Sequence, residues 1–151
     1  MIIRHFKKGD EITIAKIENE CFSSHWSESS ICSEAESGSV FLVAEEKDII
    51  GYISCKIILD EGYINNVAVT NSFRNRGVAR LLLSSLIKEA KQKNAEYFTI
   101  EVRRSNIPAQ NLYRSFGFED VGERKNFYNN PTEDALLLTL NLGDKNENSC
   151  N

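Results

Sequence analysis

Glu101 and Tyr113 are two candidate proton-transfer side chains, singled out by where each falls in the predicted elements. Around Glu101 the residues alternate, with Tyr97, Thr99 and Glu101 on one face and Phe98, Ile100 and Val102 on the other. That pattern predicts a strand over 97–102. The carboxylate then sits at the C-terminal end of the strand, where open α/β sheets bind ligands. Pro108 fits the first turn of a following helix that carries Ala109, Leu112, Tyr113 and Phe116 and stops near Gly117. Tyr113, one helix later, is a second proton-transfer group that can face the same crevice. Taken singly, Glu101 also reads as an exposed sheet residue paired with an arginine, and Tyr113 as a half-buried aromatic with a wet hydroxyl.

A third element with chemistry lies upstream. Asn66-Val67-Ala68-Val69 ends a hydrophobic strand, and a polar turn through Arg74, Asn75, Arg76 and Gly77 leads into a long helix. From Ala79 the apolar positions are Ala79, Leu82, Leu83, Leu86, Ile87 and Ala90, one unbroken helical face. A glycine at such a junction lets backbone approach a ligand, and the first helical N–H groups have no partners within the helix. With the helix dipole behind them these donors favour a phosphate. Arg74, Arg76 and Arg80 add cations, so the stretch reads as a pyrophosphate cradle. It is neither G-x-G-x-x-G, which needs three glycines, nor a P-loop, which needs Gly-Lys-Ser/Thr.

These groups must be positioned by a mixed α/β domain. Strands are predicted at 2–6, 40–44, 49–58, 63–69, 97–102, 119–127 and 135–142. Asp10 is the expected N-cap of a first helix carrying Ile14, Ile17, Cys21 and Phe22, and Ser27 begins a second, short one. Turns are expected at Lys47-Asp48, Asp60-Glu61-Gly62 and Asn129-Asn130-Pro131. The polar tail from Gly143, with Cys150, is expected to be disordered, leaving 1–142 as a single domain.

Composition narrows the function. The 151 residues are 41% hydrophobic and 26% charged, which suits one soluble domain with its own core. A net charge of −4 argues against a general nucleic-acid binder. Cys21, Cys32, Cys55 and Cys150 form no C-x-x-C pair, so neither a metal site nor a disulfide framework is expected. Cys55 reads as a small core residue with no histidine placed to activate it. No leader-like or membrane-spanning run appears, and a cytoplasmic location is expected.

Arg74-Asn75-Arg76-Gly77-Val78-Ala79 resembles the (Arg/Gln)-x-x-Gly-x-(Gly/Ala) signature of the GNAT N-acetyltransferases, whose loop holds the pyrophosphate of acetyl-coenzyme A. Glu101-Val-Arg-Arg-Ser-Asn106, Ala109-Gln-Asn-Leu-Tyr113 and Gly117-Phe118 are similar to the ribosomal-protein-alanine branch of that family. So are Ile64-Asn-Asn-Val-Ala-Val69, Phe22-Ser-Ser-His-Trp26-Ser-Glu28, Arg124-Lys-Asn-Phe-Tyr128 and Glu133-Asp-Ala-Leu136. The resemblance covers residues 1–142. It implies a mixed sheet of about seven strands, antiparallel at first and splayed in the middle, flanked by about four helices.

The resemblance also implies roles. Val67, Ala68 and Val69 meet the pantetheine arm, with the Val67 N–H as donor to the thioester oxygen. Arg74 and the backbone from Asn75 through Arg76, Gly77, Val78, Ala79 and Arg80 hold the pyrophosphate, and Asn106 lies near the cofactor. Glu101 is the general base and Tyr113 the general acid toward departing thiolate. Trp26, Phe127 and Tyr128 wall a peptide groove. The implied acceptor is a protein N-terminal α-amine, an alanine of a small-subunit ribosomal protein, with no direct nucleic-acid or membrane partner. A small amine, a lysine side chain, or a non-catalytic acetyl-coenzyme A-binding role are the alternatives. Ala79 stands where a second glycine is commoner, Ile100 where leucine is frequent, and Phe127 where relatives often carry tyrosine.

Overall fold

The alternating and helical periods produce one seven-stranded sheet with helices on both faces. The computed structural model describes residues 1–142; the tail after them, including Cys150, lies outside the described residues. In chain order the elements are β1 (Ile2–His5), α1 (Glu11–Cys21), α2 (Glu28–Glu36), β2 (Val40–Glu45), β3 (Ile49–Ile58) and β4 (Glu61–Val69). A 3-10 turn at Asn71–Phe73 precedes α3 (Val78–Gln92), β5 (Tyr97–Arg103), α4 (Ile107–Ser115), β6 (Glu119–Tyr128) and β7 (Glu133–Asn141).

The strand order is β1-β2-β3-β4-β5-β7-β6, and β4–β5 is the parallel pair within an otherwise antiparallel sheet. Pairing between β4 and β5 runs only from Glu61↔Tyr97 to Tyr63↔Thr99, although both strands continue. Past that point the sheet opens into a V. Glu101 lies beyond the last rung on one arm and Val67 on the other.

Each sheet face has its own core. Leu82, Leu83, Leu86 and Ala90 of α3 are fully buried, as their spacing predicts, and pack with Ile53, Ile64, Phe98, Tyr113 and Phe118. On the opposite face Ile14, Ile17 and Ile31 of α1 and α2 cover Phe41, Val43, Tyr52 and Ala68. Cys55 is buried, in keeping with its reading as a core residue. Among the described residues no helix is long and apolar enough to cross a membrane.

Two local readings are corrected. The Asp10 side chain does not cap α1. Its carboxylate accepts instead from the Arg4 guanidinium at 2.8 and 3.1 Å and from the Lys7 N–H at 2.8 Å, because β1 brings a bidentate donor within reach. The turn expected at Asp60-Glu61-Gly62 lies one step earlier, with Leu59 at φ +58° and Gly62 already inside β4. Gly62 serves close packing rather than turning: a Cβ there would come within 2.5 Å of the Phe98 ring.

Candidate active site

The loop between β4 and α3 is shaped by two left-handed residues, Asn75 at φ +63° and Gly77 at φ +78°. Gly77 is the cap residue of α3, and the first bond inside the helix is Leu81 N–H to the Gly77 carbonyl at 3.0 Å. The N–H groups of Val78, Ala79 and Arg80 therefore have no acceptor one turn earlier. A Cβ built on Gly77 meets nothing within 4 Å. Backbone donors without helical partners, open space beside Gly77 and a helix N-terminus fit the pyrophosphate of acetyl-coenzyme A. The Val78 and Ala68 side chains are buried, so these residues offer a ligand their backbone.

The three arginines are tied back to the protein. Arg74 donates to the Val69 carbonyl at 3.2 Å and to Cys21 Sγ at 3.2 Å. Arg76 lies 5.1 Å from the Phe73 ring centroid. Arg80 covers the Phe116 ring at 5.2 Å and donates to Ser115 Oγ at 2.9 Å, joining α3 to α4. Held this way they add positive charge around the loop and leave its main-chain N–H groups as the donors nearest the open space.

On the other arm of the V, the Glu101 side chain is only 6% exposed, and its Oε2 lies 3.2 Å from Arg124 Nε. This is a charge contact without an aligned hydrogen bond, since Oε2 has no hydrogen-bond partner. Burial pushes the Glu101 carboxyl up, and Arg124 opposes the rise. A carboxylate so placed is a better base than one in water. The arginine pairing noted as Glu101's plain structural reading is real, yet it coexists with burial unusual for a sheet-surface ion pair.

Tyr113 is 4% exposed, its ring 5.5 Å from that of Phe118, and burial pushes its hydroxyl well up. It therefore stays protonated at any physiological pH, with a proton available to donate. Burial also pushes the Tyr128 hydroxyl up to about 12, with the Glu101 charge adding to the shift, and Tyr128 in turn acts on Tyr113. The three groups share one neighbourhood. Asn106 caps α4, accepting from Ala109 N–H at 3.2 Å, which sets the start of the helix that carries Tyr113.

The residues expected to wall the acceptor groove stand at the end of β6 and in the loop between α1 and α2. Phe127 is 46% exposed and meets Tyr128 edge-on at 5.0 Å. Arg103 staples this wall to β5: its guanidinium lies 4.4 Å from the Tyr128 ring centroid. The same group donates to the carbonyls of Asn129 at 2.9 Å and Pro131 at 3.0 Å and pairs with Glu133 at 3.1 Å. Trp26 is half-buried between α1 and α2 and packs against the second core.

Sequence reasoning missed Glu18. It is 1% exposed, and its carboxylate accepts from Trp26 N–H at 2.8 Å, Asn66 Nδ2 at 2.9 Å and the Tyr52 hydroxyl. The signal was present: Glu18 follows Ile14 by one helical turn and breaks an otherwise apolar stripe. Arg103 and Arg124 were also unassigned, because their partners are distant in sequence.

The Acetyltransferase (GNAT) family profile matches residues 11–118. The chain belongs to this family. It is 32% identical over 145 residues to a Bacillus subtilis protein provisionally named a [ribosomal protein bS18]-alanine N-acetyltransferase, covering 94% of this chain and 96% of the relative. Against the Escherichia coli K12 [ribosomal protein bS18]-alanine N-acetyltransferase it is 32% identical over 129 residues, covering 82% and 86%. The crystal structure of the Escherichia coli ribosomal-protein-S18-alanine N-acetyltransferase superposes with a TM-score of 0.86 at 27% identity, over 93% of each chain.

Proposed function

We propose that the protein transfers the acetyl group of acetyl-coenzyme A to the N-terminal α-amine of a protein, an N-terminal alanine of a small-subunit ribosomal protein being the preferred acceptor. The observation that carries this reading is the placement of a buried, pKa-raised Glu101 across the V from Val67, with a helix N-terminus built for phosphate beyond it. The names of the relatives, and the match in the Glu101 and Phe127–Tyr128 stretches, support the choice of acceptor.

In this reading Glu101, directly or through water, takes a proton from the acceptor ammonium. The free amine attacks the thioester carbonyl, forming C–N as C–S breaks. The Val67 N–H bonds to the carbonyl oxygen as charge develops on it. Tyr113 donates its proton to the departing thiolate, and the second proton shed by the new amide nitrogen returns through water to the Tyr113 oxygen, so that the net proton released is the one held on Glu101. An α-ammonium has a pKa of about 7.7–8.0 against about 10.4 for lysine, so a modest base suffices for the former. Cys55 takes no acyl group: burial pushes its thiol up to about 12.

The test is coenzyme A thiol release with three acceptors: an alanine-initial peptide, the same peptide N-blocked with an internal lysine, and a polyamine. The free peptide should react fastest. Equal rates for the blocked peptide would reject α-amine selectivity, and no turnover with any amine would favour a binding module.

A further inference from the structure

β4 carries an irregularity where the V opens. Ser54 pairs with Asn66 and Cys55 with Ile64, so Asn65 has no opposite residue and forms a bulge. The bulge follows closely on Tyr63, the last residue of β4 that pairs with β5. Each asparagine there is held by a carboxylate from a different helix. Asn65 Nδ2 donates to Glu34 Oε1 of α2 at 2.8 Å, and Asn66 Nδ2 to Glu18 Oε2 of α1 at 2.9 Å.

Glu18 does more than Glu34. Its other oxygen accepts the main-chain N–H of Trp26 at 2.8 Å, and the Tyr52 hydroxyl bonds to the same oxygen as Asn66. One buried carboxylate thus joins the strand residue next to Val67 to the first residue of the acceptor wall. A buried charge of this kind is a poor stability device, since apolar residues of similar volume often serve as well. Three convergent donors do fix geometry. A glutamine cannot replace the carboxylate fully, because its NH₂ group must face at least one donor.

We propose that Glu18 is a positioning residue for acetyl transfer, holding the β4 backbone at Asn66–Val67 and the Trp26 wall in a fixed relation. This rests on the reading of the Val67 N–H as thioester donor. Glu18 touches no reacting atom; it acts through Asn66 and Trp26. Asn66→Ala removes the strand tether alone, while in Glu18→Gln the amide NH₂ faces either Trp26 or the Asn66–Tyr52 pair, so one tether is lost and the fixed relation between them with it.

The experiment is isotope-edited infrared spectroscopy of the acetyl-coenzyme A carbonyl bound to wild type, Glu18→Gln and Asn66→Ala, with acetyl-coenzyme A Kd, kcat and peptide KM for each. Wild type should show a carbonyl stretch lowered relative to free acetyl-coenzyme A. Both variants should lose most of that lowering and about 10–100-fold in kcat, while acetyl-coenzyme A Kd stays within about threefold because the pyrophosphate loop is untouched. Peptide KM should rise in Glu18→Gln and stay near wild type in Asn66→Ala. A wild-type carbonyl shift and kcat in either folded variant would overturn the proposal alone. An unshifted carbonyl in the wild-type complex would overturn the Val67 assignment and the proposal with it.

Discussion

Arg124 Nε stands 3.2 Å from Glu101 Oε2, so the candidate base carries a cation from the neighbouring hairpin on a carboxylate that is otherwise buried. Burial raises the Glu101 pKa and Arg124 lowers it. The groups facing this carboxylate are Arg124 on β6 and the Tyr128 hydroxyl at its end. Replacing Arg124 by leucine leaves burial unopposed. The pKa then rises, and since the base form is lost as pH falls, the acid limb of kcat/KM should move to higher pH. Arg124→Lys should move it far less. A pH–rate profile checks this, and an unmoved limb in Arg124→Leu would show that another group titrates.

Glu101→Gln keeps shape but accepts no proton. Its turnover should fall most at low pH, where the acceptor amine is protonated, and recover in part above the amine pKa of about 7.7–8.0. Tyr113→Phe removes the donor to a thiolate whose conjugate acid has a pKa of about 8.5, so it should cost near the low end of the usual ~10²–10⁴-fold. Both should bind acetyl-coenzyme A normally. Wild-type rates across pH for Glu101→Gln would place the base elsewhere.

Gly77→Val should weaken acetyl-coenzyme A binding for two reasons. Its Cβ projects into the open cradle, and φ +78° is strained for any L side chain by roughly 1–2 kcal/mol. Calorimetry on the folded variant, with a melting curve to separate the two effects, gives the answer. Unchanged affinity would remove the loop from the site.

Gly62→Ala should destabilise the fold without touching the chemistry. The new Cβ would lie 2.5 and 2.7 Å from two ring carbons of the fully buried Phe98, and such overpacking costs about 1–3 kcal/mol. Denaturant unfolding should show a lower midpoint. A wild-type midpoint would mean that β4 and β5 separate easily at their paired end.

What was legible in the sequence was periodic or local. The α3 stripe, the alternation that turns Glu101 away from the core, and the glycine before α3 were each visible in one window. Gly62 was misread as a turn glycine because its need for no side chain comes from Phe98 on another strand. Asp10 has the residue type of a cap, but Arg4 outbids the helix N–H groups with two charge-assisted bonds. Glu18 is a case where sequence reasoning failed at a candidate functional position. Its charge on a buried face makes sense only with Tyr52, Asn66 and Trp26 folded around it.

In the proposed reaction, the Arg103 staple bears on how an acceptor is selected. With the carbonyls of Asn129 and Pro131 and the Tyr128 ring already held by one guanidinium, the 129–132 turn has given up its conformational entropy on folding. Association then adds no ordering of this turn to that of the incoming chain. A flexible peptide and the same terminus emerging from a folded domain should consequently differ in affinity by the acceptor's own ordering entropy, and discrimination between acceptors should appear mainly in dissociation rates.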